Sequence, residues 1–225
     1  MTSRTHTTYA EGIGIQAGAV VLEGNLAIPE AAKGVALFAH GSGSSRFSPR
    51  NRAVANSLNN SCIATLLIDL LTGEEEAIDR VTALLRFDIE LLAQRLIGAT
   101  DWLVQAPETH TLRIGYFGAS TGAAAALVAA AERTKAVAAI VSRGGRPDLA
   151  GAALPRVQAP TLLIVGGNDI PVIEMNRAAL AELRCEKRLE IVPGATHLFE
   201  EPGTLERVAD LAREWFKAYL EKVPP

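Results

Sequence analysis

Six short, mainly apolar runs, at 35–39, 64–68, 112–117, 137–142, 161–166 and 189–192, recur along the chain. Between them lie longer segments whose apolar residues fall three and four apart. No other feature constrains the fold as much. A strand buried on both faces reads as an unbroken apolar run, whereas a strand with one wet face alternates. These runs therefore predict a parallel sheet covered by helices on both sides. The helical patterns lie at 52–59, 84–105, 121–133, 173–183 and 204–221. Strand and helix alternating in this way predict a doubly wound α/β domain that binds ligands at the carboxyl ends of its strands. Residues 13–28 differ, because Gly and polar residues interrupt their apolar positions and the segment stops at Pro29. That is the pattern of an antiparallel edge hairpin, so the sheet is expected to be mostly parallel with an antiparallel N-terminal edge.

No internal repeat or low-complexity linker divides the 225 residues, and only 144–155 form a Gly/Pro-rich loop. The expectation is a single domain over 1–225, with the polar, threonine-rich stretch 1–12 as a flexible tail. Apolar residues make up 48% of the chain and the net charge is −3. This composition suits a packed core and excludes disorder. No run of Lys or Arg offers a footprint for nucleic acid or an anionic membrane. The N-terminal residues lack the apolar stretch of a signal peptide, and the most apolar segments, such as 123–131, fall far short of the roughly 20 residues of a membrane span. A cytoplasmic protein is expected. Cys62 and Cys185 show neither CxxC nor Cys/His spacing, so they read as reduced core thiols, with no metal site or disulfide framework.

The run 112–117 is followed by Gly118-Ala119-Ser120-Thr121-Gly122 and then by an alanine-rich helix. GxSxG alone is weakly specific. Between a strand and a helix it reads as a nucleophile elbow, a turn so sharp that the residues two either side of the serine must be small. Ser120 then sits at a helix N-terminus, where backbone amides face negative charge developing on an attacked carbonyl oxygen. The competing reading is a Gly-rich phosphate-binding turn, but no GxGxxG or GxxxxGK[ST] follows a strand.

A serine hydroxyl needs a base to take its proton. His6 lies in the polar tail and His110 precedes a strand, at the opposite sheet end from Ser120. His197 follows the last strand, in Pro193-Gly194-Ala195-Thr196-His197, and is the candidate base. His40 ends the 35–39 strand, where it either shapes the loop or contacts substrate. The run 161–166 leads through Gly167-Asn168 to Asp169, the candidate acid, which would otherwise serve as a cap for the helix near Ile173. Asp148, after the preceding strand, is its rival. The order Ser, Asp, His is that of α/β-hydrolases. Backbone amides of Ser42, in the loop His40-Gly41-Ser42-Gly43-Ser44-Ser45, and of Thr121 would form the oxyanion hole. Arg46, Arg50, Arg143 and Arg146 fall in loops at the same edge; Arg46 and Arg143 are candidates for holding an anionic substrate group, and each is otherwise a solvated loop residue.

Together HGSGSS, GASTG, GGND and GATH resemble the α/β-hydrolase superfamily, in its dienelactone-hydrolase-like branch. The resemblance spans essentially the whole chain. It implies an eight-stranded, mainly parallel sheet and neither metal nor organic cofactor. Dienelactone hydrolases carry cysteine in the elbow where position 120 is serine, so their lactone is not carried over, and a small-molecule carboxylic ester is the expected substrate. Thioesters and lactones would undergo the same chemistry, and self-association is compatible with it. Only about eighteen residues separate the runs ending at 142 and beginning at 161, which predicts an uncapped site suited to small or medium acyl groups. The alternative is a binding protein that keeps the scaffold without turnover.

Overall fold

A computed structural model describes residues 7–221. Eight strands form one sheet in the order β1-β2-β4-β3-β5-β6-β7-β8. β1 (Thr7–Ala17) and β2 (Val20–Pro29) pair antiparallel, and β2 continues antiparallel onto β4 (Ala64–Ile68). β3 (Gly34–Ala39), β5 (Arg113–Ala119), β6 (Val137–Arg143), β7 (Thr161–Gly166) and β8 (Lys187–Val192) are parallel to β4 and to one another. Every residue of β3, β4 and β7 is buried, which explains why their sequences are mainly apolar and do not alternate.

Six helices cover the sheet: α1 (Pro49–Asn59), α2 (Gly73–Thr82), α3 (Ile89–Gln105), α4 (Thr121–Glu132), α5 (Ile170–Glu182) and α6 (Thr204–Leu220). On one face α3 and α4 bury Leu92, Leu96 and Leu127 against Leu37, Leu66 and Tyr116. On the other, α1 and α6 bury Val54, Leu58, Leu211 and Phe216 against Phe38, Phe117 and Val141. Alternate residues of one strand thus serve two cores. Alanine dominates α4 because the helix is buried nearly all round, from Thr121 to Ala131. Small side chains let it lie close to the sheet and α3 at once.

Several expectations are corrected. The tail predicted over 1–12 gives way to β1 from Thr7, whose residues pair with β2 (Thr7 with Pro29, Tyr9 with Ala27); residues 1–6 lie outside the described residues. A two-sided edge strand is wet enough to be polar, so composition does not separate it from a tail. The single helical stretch read at 84–105 is a 3-10 turn, Leu85–Phe87, followed by α3. Asp88 divides them by accepting from the Leu91 amide at 3.0 Å. Helix α2 went unread because its apolar residues Ile78 and Val81 face solvent. Its start was nevertheless written in Thr72-x-x-Glu75, a reciprocal capping box. The 144–155 loop also winds into a 3-10 segment, Pro147–Arg156. Both cysteines are free and half-buried rather than core residues. Among the described residues no helix is long and apolar enough to cross a membrane.

Candidate active site

Parallel strands place all their carboxyl ends at one sheet edge. Residues that follow β3, β5, β6, β7 and β8 meet there, which gathers the 40–45 loop, Ser120, Gly144, Asp169 and His197 from across the sequence.

Ser120 has φ 50° and ψ −121°, a left-handed conformation for a residue with a side chain. Such a backbone costs roughly 1–3 kcal/mol and persists only where its surroundings enforce it. They do so here. A Cβ on Gly118 would stand 2.4 Å from Ala123 Cα, and one on Gly122 would stand 2.4 Å from the carbonyl oxygens of both Ala39 and His40. The motif glycines therefore answer to close backbone approach. The Ser120 carbonyl accepts from the Ala123 and Arg146 amides, each at 3.1 Å, which ties the elbow to the loop after β6.

His197 Nδ1 lies 2.7 Å from Asp169 Oδ2. A carboxylate only accepts, so Nδ1 carries the proton and Nε2 is the basic nitrogen. The two loops are clamped together: Asn168 donates its amide to Ala195 O and its side-chain Nδ2 to Gly194 O, both at 2.9 Å. A Cβ at Gly166 would meet Ala195 O at 2.4 Å. Glu201, unremarked in the sequence, accepts from the Thr196 amide at 3.0 Å, and this hydrogen bonding holds its carboxyl below the usual carboxylate range. Ser120 and His197 line one cavity of about 260 Å³ together with Ser42, Arg50 and Arg143. The Ser120 hydroxyl makes no hydrogen bond among the described residues; such contacts are often long in a free site and tighten on substrate.

Two amides are available for an oxyanion. Thr121 begins α4, so its N–H has no intrahelical acceptor. The Ser42 amide has no acceptor among the described residues, and Ser42 lines the same cavity. The loop runs hard against the elbow, since a Cβ on Gly41 would be 3.0 Å from that of Ser120.

His40 is brought to this loop but not to the cavity. Its Nε2 accepts from the Leu70 amide at 3.1 Å and its Nδ1 donates to Gly41 O at 2.9 Å. Both nitrogens are spent on backbone, so His40 fixes the 40–45 loop and has no ring nitrogen free to receive a substrate. Burial lowers its pKa below the ordinary 6.5, with Gly41, Asp69 and Glu76 opposing. The folded state thus resists a proton that the unfolded chain accepts near pH 6.5. His40 contributes its full stability above that pH, and the contribution shrinks as pH falls toward the lowered value. Urea unfolding of wild type and His40→Gln between pH 8 and 5 should show their stability difference narrowing below about 6.5. A gap that does not change with pH would refute this.

Arg46 is likewise corrected. It reaches away from the cavity to ion pairs with Glu23 and Asp69, and its guanidinium lies 4.2 Å from the Phe47 ring centre. Arg146 and Asp148 hold each other, with Nε–Oδ1 at 2.9 Å and Nη2–Oδ2 at 2.8 Å. Asp148 is thereby engaged elsewhere than His197. Arg143 does line the cavity and is almost fully buried.

An eight-stranded, mostly parallel sheet with a strained serine at its central strand-to-helix turn defines an α/β-hydrolase. Residues 22–221 match the sequence profile of the dienelactone hydrolase family. The chain belongs to that family. The crystal structure of a dienelactone hydrolase from Anabaena variabilis is 64% identical with a TM-score of 0.93, covering 95% of this chain and 99% of that one. An α/β serine hydrolase without lid from Xanthomonas campestris shares the fold at 18% identity and a TM-score of 0.74, covering 100% and 99% of the two chains. Two Mycobacterium tuberculosis proteins, both provisionally named phosphoribosyl transferase, are 58% identical over 210 residues. The match covers 93% of this chain and 46% of theirs, so the chain spans about half the length of these relatives.

Proposed function

We propose that the protein hydrolyses carboxylic esters of small or medium acyl groups through an acyl-enzyme. Ser120 attacks the carbonyl carbon as His197 Nε2 takes its proton. The amides of Ser42 and Thr121 stabilise the oxyanion, and the imidazolium returns the proton to the departing alcohol. Water activated by His197 then releases the acid. The observation that carries the reading is the 2.7 Å contact between Asp169 and His197 beside a serine held at φ 50°. The two free thiols support the cytoplasmic setting expected of the chain. A fluorophosphonate probe with mass-spectrometric mapping tests the nucleophile: labelling at Ser120, lost in His197→Ala, is expected. An unlabelled serine in the folded protein would leave a non-catalytic scaffold instead.

A cavity of about 260 Å³ lies below the range of drug-sized ligand pockets, roughly 300–1,000 Å³. No cap stands over it from the β6–β7 connection, which is filled by the 3-10 segment 147–156. A four-carbon p-nitrophenyl ester should therefore give a higher kcat/KM than a sixteen-carbon one. The opposite order would contradict the size reading.

A further inference from the structure

The cavity beside Ser120 holds two arginines, and one of them, Arg143, is paired with no acid among the described residues. Arg143, at the end of β6, is 7% exposed. Among the described residues its guanidinium makes one hydrogen bond, to a neutral group, Asn51 Oδ1 at 3.3 Å; it lies 6.0 Å from the Phe199 ring centre, and its buried Nε has no partner. No carboxylate reaches it among those residues, and no Asp or Glu lines the cavity. Other arginines at this edge do find acids, Arg46 with Glu23 and Asp69 and Arg146 with Asp148.

Two further features add to the surplus. Arg50 lines the same cavity, pairing with the exposed Glu200 at 3.0 Å while its own buried Nε has no partner among the described residues. It also occupies the first turn of α1, which has no acidic residue and whose N-terminal residues Ser48 and Asn51 line the cavity. A helix N-terminus favours negative charge, so a basic residue there is electrostatically misplaced unless an anion joins it. Burying an unpaired guanidinium is expensive, and such groups are normally matched by a charge or withdrawn to water. Burial and the neighbouring Arg50 lower the Arg143 pKa to about 10, which still leaves it charged at neutral pH.

We infer that Arg143, assisted by Arg50 and the N-terminus of α1, is a specificity subsite for a compact oxyanion group, carboxylate or phosphate, carried by the ester substrate. This rests on the ester-hydrolase reading for its place in turnover, but not for its place in binding. Arg143 lies beside the reacting serine, so an anion bound there fixes which end of the substrate enters. Neutral esters fit the cavity without matching its charge.

The test has a binding arm and a kinetic arm. In the Ser120→Ala protein, succinate and inorganic phosphate are titrated separately by calorimetry, with chloride held constant. Binding of at least one, weakened at least tenfold by adding Arg143→Gln, supports the subsite, and the anion that binds identifies the group. Binding of neither in the tens of millimolar range overturns it, and that measurement needs no arginine variant. Arg50→Gln, predicted to weaken the same binding by a smaller factor, serves should Arg143→Gln not fold. In the kinetic arm, kcat/KM for the p-nitrophenyl monoester of succinate is divided by that for p-nitrophenyl butyrate. The ratio should fall roughly ten- to a hundredfold in Arg143→Gln, the range of a hydrogen bond to a charged group. A ratio unchanged by the substitution overturns the inference. Anion binding without turnover of either ester would sink the esterase reading and leave the subsite standing.

Discussion

Ser120→Ala is expected to lower ester turnover by about 10⁶-fold, the scale seen when a triad serine is removed, and to abolish fluorophosphonate labelling. The protein should stay folded. Alanine keeps the Cβ that serine already places at φ 50°, so the strain of the elbow is unchanged. The lost hydroxyl has no hydrogen-bond partner among the described residues, and stability should move by no more than about 0.5 kcal/mol. Loss of activity together with an unchanged denaturation midpoint is therefore the signature. A variant retaining a tenth of wild-type activity would move the nucleophile elsewhere.

The second large effect separates two aspartates. Asp169→Asn should lower kcat by about 10³ to 10⁴, by analogy with other triads. The Asp169 carboxylate accepts from His197 Nδ1 at 2.7 Å. An amide of the same shape offers N–H groups, and these favour the tautomer with its proton on Nε2, the nitrogen that must receive the serine proton. It also removes the charge that stabilises the imidazolium. Asp148→Asn should cost less than about tenfold, because Asp148 spends its carboxylate on a half-exposed ion pair with Arg146, and pairs of that kind contribute up to about 1 kcal/mol. The reverse ranking, measured with one ester at saturating concentration, would make Asp148 the orienting acid while leaving Ser120 and His197 in place.

The proposed anion subsite adds a consequence for these measurements. A neutral test ester reports on the reacting groups but leaves Arg143 unmatched, so wild-type rates on such esters should understate the enzyme's capacity. Assays of Ser120 and Asp169 variants are best made on both a neutral and an anionic ester, since loss of chemistry lowers both alike whereas loss of the subsite changes their ratio.

Much of the architecture was legible in the chain because it depends on short-range sterics and on burial. The runs at 64–68 and 161–166 coincide with β4 and β7, since a strand with no wet face is mainly apolar and admits a polar residue only where it is hydrogen-bonded, as Thr65 and Thr161 are. The elbow was readable because Gly118 and Gly122 face backbone within 2.4 Å of where a Cβ would stand. Legibility failed where a segment is wet on most sides. The first half of β1 looked like a tail, and α2 shows its outward-facing Ile78 and Val81 without an apolar stripe toward a core. Its capping box was a usable signal, carried by hydrogen bonds between Thr72 and Glu75 rather than by hydrophobicity.

By itself the sequence determined the alternation of β3 to β8 with every helix but α2, the sheet edge at which they converge, and Ser120, Asp169 and His197 as candidate groups to be found there. It left His40, Arg46 and Arg143 undistinguished as candidates for substrate contact, with Arg146 beside them at that edge. Only the tertiary structure distinguished them, because each is decided by a partner in space: Leu70 for His40, Glu23 and Asp69 for Arg46, Asp148 for Arg146. Of these only the Asp148 partner is a near neighbour in the chain. Arg143 stands apart because packing buries it beside Ser120 and brings it no acid among the described residues. Periodicity and local motifs report on backbone sterics and burial, whereas charge balance at a site is a sum over residues that meet only when the chain has folded.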